Sequence, residues 1–258
     1  MEVIDLPVDA AWGIGFLLTM IRVGAFAVAS PLFGLSMPST ARLAFTLSMS
    51  IGFATPVEGS FDIGELIAAA AVNLFVGGVL GWVTGIALQA FAVAGGILDL
   101  ISGLAVSQVF DPRMGDLSGV WNRMFYLVGT TMFVAIGGLG LLAGGLFVSI
   151  EVIPLDAAIS PRPGLTGVVL DLVVATIREG VELALPIMGV MLMLELALGL
   201  AARFAPQANV FLLGLPAKLF AAITVVGSSW ILFPDVNARI RDGLAANVEN
   251  ILRGFGAG

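Results

Sequence analysis

The sequence predicts an all-α integral membrane protein, about six hydrophobic segments folded as long, partly broken helical hairpins. Three observations carry this. The chain is 59% hydrophobic and only 11% charged, where soluble domains carry about a quarter charged residues. Its mean hydropathy is +1.08, and it holds several low-charge runs of about 18 or more residues, enough to cross hydrocarbon as helices. Those runs lack the apolar–polar alternation of membrane-barrel strands.

The first segment runs from Ala10 to Phe33 and encloses Arg22, followed by the proline-bounded connector PLFGLSMPSTAR. Leu43 to Val57 is short for a span and ends at Pro56, before the acidic EGSFDIGE. From Ile63 to Val106 come 44 residues of low charge. One helix of that length would measure about 66 Å, twice a bilayer core, so it predicts a hairpin or a helix projecting well beyond lipid. Ser107 to Asp116, SQVFDPRMGD, is a polar stretch between two apolar ones. Met124 to Ile150 is the fourth segment, followed by a connector with three prolines, EVIPLDAAISPRPG. Thr166 to Leu200 is again overlong, interrupted by Pro186, and Val210 to Phe233 is the last clear span. From Asp235 onward, Val236, Ile240, Leu244, Val248, Ile251 and Phe255 fall near one face. That predicts an amphipathic helix lying at an interface or on a partner. The expected organisation is one domain over residues 1–258, with 234–258 as its amphipathic tail.

The chain has no cysteine and no histidine. Disulfides, thiolate nucleophiles, His-based zinc sites and Ser-His or Cys-His catalysis are therefore excluded. No catalytic, cofactor-binding or metal-binding residues are expected. A net charge of −7 argues against nucleic acid as a partner. The acidic start, MEVIDLPVDAAW, has no basic region, so it does not predict a cleavable signal peptide. Six spans would place Arg42, Arg113, Arg123 and Arg203 on one side and Arg162, Arg239, Arg241 and Arg253 on the other. Four against four gives no orientation.

In NLFVGGVLGWVTGIALQ, residues Asn73, Gly77, Gly81, Gly85 and Gln89 recur at i+4. This predicts a glycine groove capped by amides on one helix face, packing within the chain or against other subunits. Gly140 and Gly144 repeat the pattern more weakly. Asp171, Arg178 and Glu182 share a helix face, and Arg178 can pair with Glu182. Glu195, Asp99 and Arg22 lie deep in apolar sequence. An isolated intramembrane carboxylate points to proton or ion coupling, whereas one with a partner serves structure.

Three stretches together resemble the FliR family, the export-gate subunit of flagellar type III secretion, whose injectisome counterpart is SctT. RVGAFAVASPLFGLSMPSTARLAF supplies Arg22, Pro31, Phe33, Pro38 and Arg42; SQVFDPRMG is followed by an apolar block and SIEVIPL. RFAPQANVFLLGLPAK supplies Pro206, Gln207, Asn209, Phe211, Pro216 and Lys218, the chain's one lysine. The resemblance implies a fold like a FliP-like and a FliQ-like unit fused. It implies assembly with several FliP-like and FliQ-like subunits into a closed helical pore in the bacterial inner membrane, at the flagellar basal body. FlhB-like and FlhA-like proteins, unfolded export substrates and membrane lipid are the further partners implied.

The resemblance also makes the loop from Ser107 to about Val120 a plug in the channel. Its expected members are Ser107, Gln108, Val109, Phe110, Asp111, Pro112, Arg113, Met114 and Gly115. Irregular backbone is tolerated where it lines a cavity, and Phe110, Met114 and Val109 would form an apolar constriction that blocks ions by dewetting. Gly103 and Gly115 would let the loop swing aside. Two rival classes remain: a proton-coupled secondary transporter using Glu195 or Asp99, and a membrane scaffold with no pathway of its own.

Overall fold

In the computed structural model, residues 10–33, 37–57, 62–104, 119–157, 165–204 and 210–255 are described. Ala10–Ala29 forms α1, with no acidic residue in its first turn and no basic residue in its last. It stops at Ser30 because Pro31 disfavours helical backbone in the residue before it. α2, Ser39–Phe53, follows Pro38. Its 15 residues make a rod of about 22 Å, too short to cross a bilayer unaided.

α3 is one unbroken helix, Ile63–Ser102. The hairpin alternative for this segment is therefore overturned: no proline interrupts it, and its 40 residues extend about 60 Å. Gly103, at φ +81°, ends it in the left-handed conformation that glycine adopts without penalty. The fourth hydrophobic segment holds two helices. α4, Val120–Ala135, and α5, Gly138–Val152, meet at a 70° bend where Gly137 takes φ +90°. The pair GG at 137–138 carried that signal in the sequence.

α6, Leu165–Phe204, continues through Pro186, so the expected interruption is absent. A proline there forfeits one backbone hydrogen bond and strains the preceding turn without ending the helix. α7, Val210–Ser229, contains Pro216. A short 3₁₀ turn, Trp230–Leu232, leads into α8, Phe233–Phe255. Among the described residues, four helical stretches are long and apolar enough to cross a membrane, or five if the bent α4–α5 pair counts as one. The all-helical membrane class is as the sequence predicts, with fewer spans than six.

The chain divides into two compact units, each assembled from separated segments. The first takes the described residues within Met1–Ile86, Gly137–Leu172 and Asp242–Gly258. Its core joins Leu18, Val57, Ala69, Ile150 and Leu155, with Phe33 stacked on Phe45 at 4.4 Å and Phe75 edge-on to Phe255. The second takes those within Ala87–Ile136 and Val173–Arg241. There Phe233 packs against Phe91, Phe125 and Trp230 at 5.1–6.3 Å. The face of α8 picked out by the sequence is buried within the chain at Val236, Ile240, Leu244, Ile251 and Phe255, rather than laid against lipid or a partner. By contrast, Met193, Leu196 and Phe204 on α6 are 70–82% exposed, and apolar surface of this kind requires lipid or another protein to cover it.

Candidate functional site

Gly77 and Gly81 of α3 are covered by α1 of the same chain and the turn after it, and Gly85 by Pro31 of that turn. A Cβ at Gly77 would fall on the Arg22 carbonyl, and one at Gly81 would stand 2.6 Å from the Phe26 oxygen and 2.8 Å from Ala29. At Gly85 it would meet Pro31 at 3.2 Å. Gln89 does not join them: it is exposed. The reason is geometric, because each i+4 step overshoots a turn by about 40°, so Gln89 is rotated about 160° from Asn73. The expectation of one five-residue face is corrected to a contact from Asn73 to Gly85. Since α1 fills it, no open glycine groove remains there for another subunit.

This close approach carries Arg22 into the core, where it is fully buried. Its Nε–H donates to Asn73 Oδ1 at 2.9 Å, Nη1 to the Ser149 carbonyl at 2.7 Å, and Nη2 to the Ile153 carbonyl at 2.9 Å. Asn73 in turn donates through Nδ2 to the carbonyls of Ala69 and Leu155, both at 2.8 Å. Among the described residues, every acceptor of Arg22 is a neutral oxygen. Ser149 and Ile153 stand at the C-terminal end of α5, where the helix dipole favours a cation; the Ser149 carbonyl also accepts the Ile153 N–H at 3.0 Å. A buried guanidinium persists here because its donors are matched. The sequence singled out Arg22 and Asn73 but not their joint role, since backbone acceptors carry no residue signature.

In the other unit, Asp99 is 3% exposed, and both of its oxygens accept. Trp121 N–H donates to Oδ1 at 3.1 Å and Asn122 N–H to Oδ2 at 2.9 Å. Asn122 Nδ2 donates to the Ala92 carbonyl at 2.6 Å. Asp99 thus caps the first turn of α4 from the last turns of α3. Trp121 and Asn122 are functional candidates that the sequence did not mark.

Several of the other charged residues form ion pairs. Lys218 meets Glu195 at 2.7 Å, Arg178 meets Glu182 at 2.8 Å, and Arg239 bridges Glu179 and Glu182 at 3.1 and 3.3 Å. Asp171 is exposed. Neither Glu195 nor Asp99 is an isolated carboxylate, which removes the observation on which the proton-coupled transporter rested. Among the described residues, no cluster of three or more acidic side chains could hold a metal.

Of the family-pattern residues, Phe33 is buried between Phe26 and Phe45, and its carbonyl accepts from Arg42 Nε at 2.8 Å. Pro31 lies against Gly85 and Pro38 precedes α2. Phe211 lies in the first turn of α7 and Pro216 inside it, and Lys218 makes the Glu195 pair. Pro206, Gln207 and Asn209, and all of the plug-loop residues Ser107–Gly115, lie outside the described residues.

Residues 14–242 match the family model described as bacterial export proteins, family 1. The chain is 30% identical over 223 residues to the flagellar biosynthetic protein FliR of Aquifex aeolicus, covering 83% of this chain and 84% of that one. It is 28% identical over 211 residues to FliR of Bacillus subtilis, with 79% and 81% covered. It is also 28% identical over 228 residues to the surface presentation of antigens protein SpaR of Shigella sonnei, with 83% and 87% covered.

Proposed function

The chain belongs to the bacterial export proteins, family 1, and from that premise we propose that it is a gate subunit of flagellar protein export in the bacterial inner membrane, at the basal body. The observation that carries this is the match over residues 14–242, together with relatives named for flagellar biosynthesis and for surface presentation of antigens. The gate would be a hetero-oligomer with FliP-like and FliQ-like subunits. FlhB-like and FlhA-like proteins would deliver unfolded substrates, and the proton motive force and a separate ATPase would supply the energy through those partners.

Ser107–Gly115 would plug the pore at rest. The support is chemical: Phe110 and Met114 give a polar stretch the bulk needed for a dewetted constriction, and a proline in its sequence disfavours helix. The uncovered apolar surface of α6 at Met193, Leu196 and Phe204 fits a chain that is completed by lipid and neighbouring subunits.

The test is the native mass of the tagged chain, purified in mild detergent after co-expression with its FliP-like and FliQ-like neighbours. One large complex with a single copy of this chain is the expected result; a lone monomer beside unbound partners would refute the gate assignment. In the reconstituted complex, Phe110→Ala is expected to raise resting ion conductance, and an unchanged conductance would refute the plug.

A further inference from the structure

We infer that the cleft between α3, α5 and α8 in the first unit binds one molecule of phosphatidylethanolamine, with an acyl chain inside and the headgroup on Glu249 and Arg253. The inference goes beyond the export-gate reading and does not depend on it.

The cleft has a volume of about 640 Å³, within the roughly 300–1,000 Å³ of small-molecule sites. Every residue that lines it belongs to the first unit. Phe26, Leu80, Leu142, Leu146, Leu244 and Val248 make its apolar walls. Gly140 and Gly144 also line it, and a Cβ at either would meet nothing within 4 Å, so α5 presents bare backbone where a larger residue would fill the space. Thr84 is the one uncharged polar side chain on the lining among the described residues, and its hydroxyl already donates to the Leu80 carbonyl at 2.9 Å. The interior therefore needs no hydrogen bond from a ligand, and apolar cavities of this kind take apolar guests. Phe26, Leu80, Leu142 and Leu146 are only 1–5% exposed. Access to them is narrow, admitting a methylene chain but not a helix about 10–12 Å across.

Glu249 and Arg253 are the two charged residues on the lining, one turn apart on α8 and paired with each other. Their side chains are 59% and 72% exposed, which puts them at the mouth. So exposed a pair holds weakly, and each member can exchange the other for a ligand's charge. Arg253 offers the fork of donors that matches a phosphate, and Glu249 accepts from an ammonium one turn away. An apolar interior with one charge of each sign at its mouth matches an amphiphile whose headgroup carries both, a phosphate and a protonated amine. Phosphatidylethanolamine is that amphiphile. Phosphatidylglycerol would set its negative charge against Glu249 with no cation to offset it, and the quaternary amine of phosphatidylcholine has no N–H to donate.

The test uses the purified export complex, delipidated in mild detergent and titrated with each of the three lipids, with bound lipid counted by native mass spectrometry. If the chain purifies alone, the same titration is run on the lone chain, since every lining residue is its own. One phosphatidylethanolamine per copy of this chain is expected to bind at about tenfold lower concentration than the other two lipids, the margin of one charge-assisted contact. Gly144→Leu, whose side chain would occupy the cleft, is expected to remove that one lipid and leave the subunit composition unchanged. Glu249→Gln combined with Arg253→Gln, both on exposed side chains, should retain a lipid but abolish the preference. The proposal is overturned if the parent shows no preference, or if Gly144→Leu keeps the same lipid count. It is equally overturned if Gly144→Leu loses a neighbouring subunit instead, which would make the cleft a subunit contact. Should Gly144→Leu fail to fold, the double variant decides alone: an undiminished preference overturns the headgroup placement and the site with it.

Discussion

Arg22 and Asp99 make the same kind of contact with opposite signs. In one unit a buried cation from α1 serves the carbonyls at the C-terminal end of α5; in the other a buried anion from α3 serves the N–H groups at the start of α4. Each matches the dipole of the helix end it meets. They differ in connectivity. Arg22 reaches Asn73, Ser149 and Ile153, and through Asn73 also Ala69 and Leu155. Asp99 accepts from two neighbouring amides of a single turn. A charge that knits several elements together belongs to the fold, whereas one that fastens a single helix end can be released without undoing its surroundings.

The contrast can be broken by measurement. Arg22→Leu would leave Asn73 Oδ1 and the Ile153 carbonyl buried without the donors they have now, and about 2–4 kcal/mol of stability is expected to be lost. Arg22→Lys should recover only part of this, because an ammonium cannot match the guanidinium's spread of donors. Thermal unfolding in detergent would read both. If Asp99→Asn cost as much as Arg22→Leu, the distinction drawn above would collapse.

Next in size is Gly77→Ala, whose new methyl meets backbone at the Arg22 carbonyl and should cost about 1–3 kcal/mol as α1 and α3 are forced apart. Its neighbour Gly78 has nothing within 4 Å of an added Cβ, so Gly78→Ala should be neutral or stabilising by about 0.5–1 kcal/mol through helix propensity. The same melts would compare the two. Asp99→Asn is expected to cost about 1–2 kcal/mol in stability, clearly less than Arg22→Leu. At the small end, Gln89→Ala should stay within about 0.5 kcal/mol of the parent chain. So should Arg253→Ala, which loses only an exposed i,i+4 pair with Glu249. A large effect at Gln89 would restore the five-residue face that the helix geometry denies.

The helical membrane class was legible because hydrophobic runs of spanning length carry it directly, and Asn73, Gly77 and Gly81 were legible because small residues at i+4 mark close helix contact. Gln89 was not, since drift accumulates over four steps and a string of letters hides it. The bend at Gly137 was not read from the sequence, because its glycine pair lies within continuous apolarity. Pro186 misled in the other direction, because a single proline is weaker than 40 residues of helix. Arg22 was visible as a charge out of place, but its acceptors are carbonyls, which every residue possesses. Asp99 looked like a proton site because the amides that satisfy it lie more than 20 residues onward.

The discontinuous composition of the two units bears on how the chain is made. The first unit lacks α8's last turns, where Phe255 meets Phe75 and Val248 meets Gly145, until residues 242–258 emerge from the ribosome. Between Leu172 and Asp242, translation at about 5–20 residues per second takes roughly 4–14 s. For that interval the nascent protein carries an unfinished core, and pairings between distant segments form slowly in any case. Such a chain has strong reason to be synthesised beside a holdase or insertase that shields α1 and α3 until the final helix arrives.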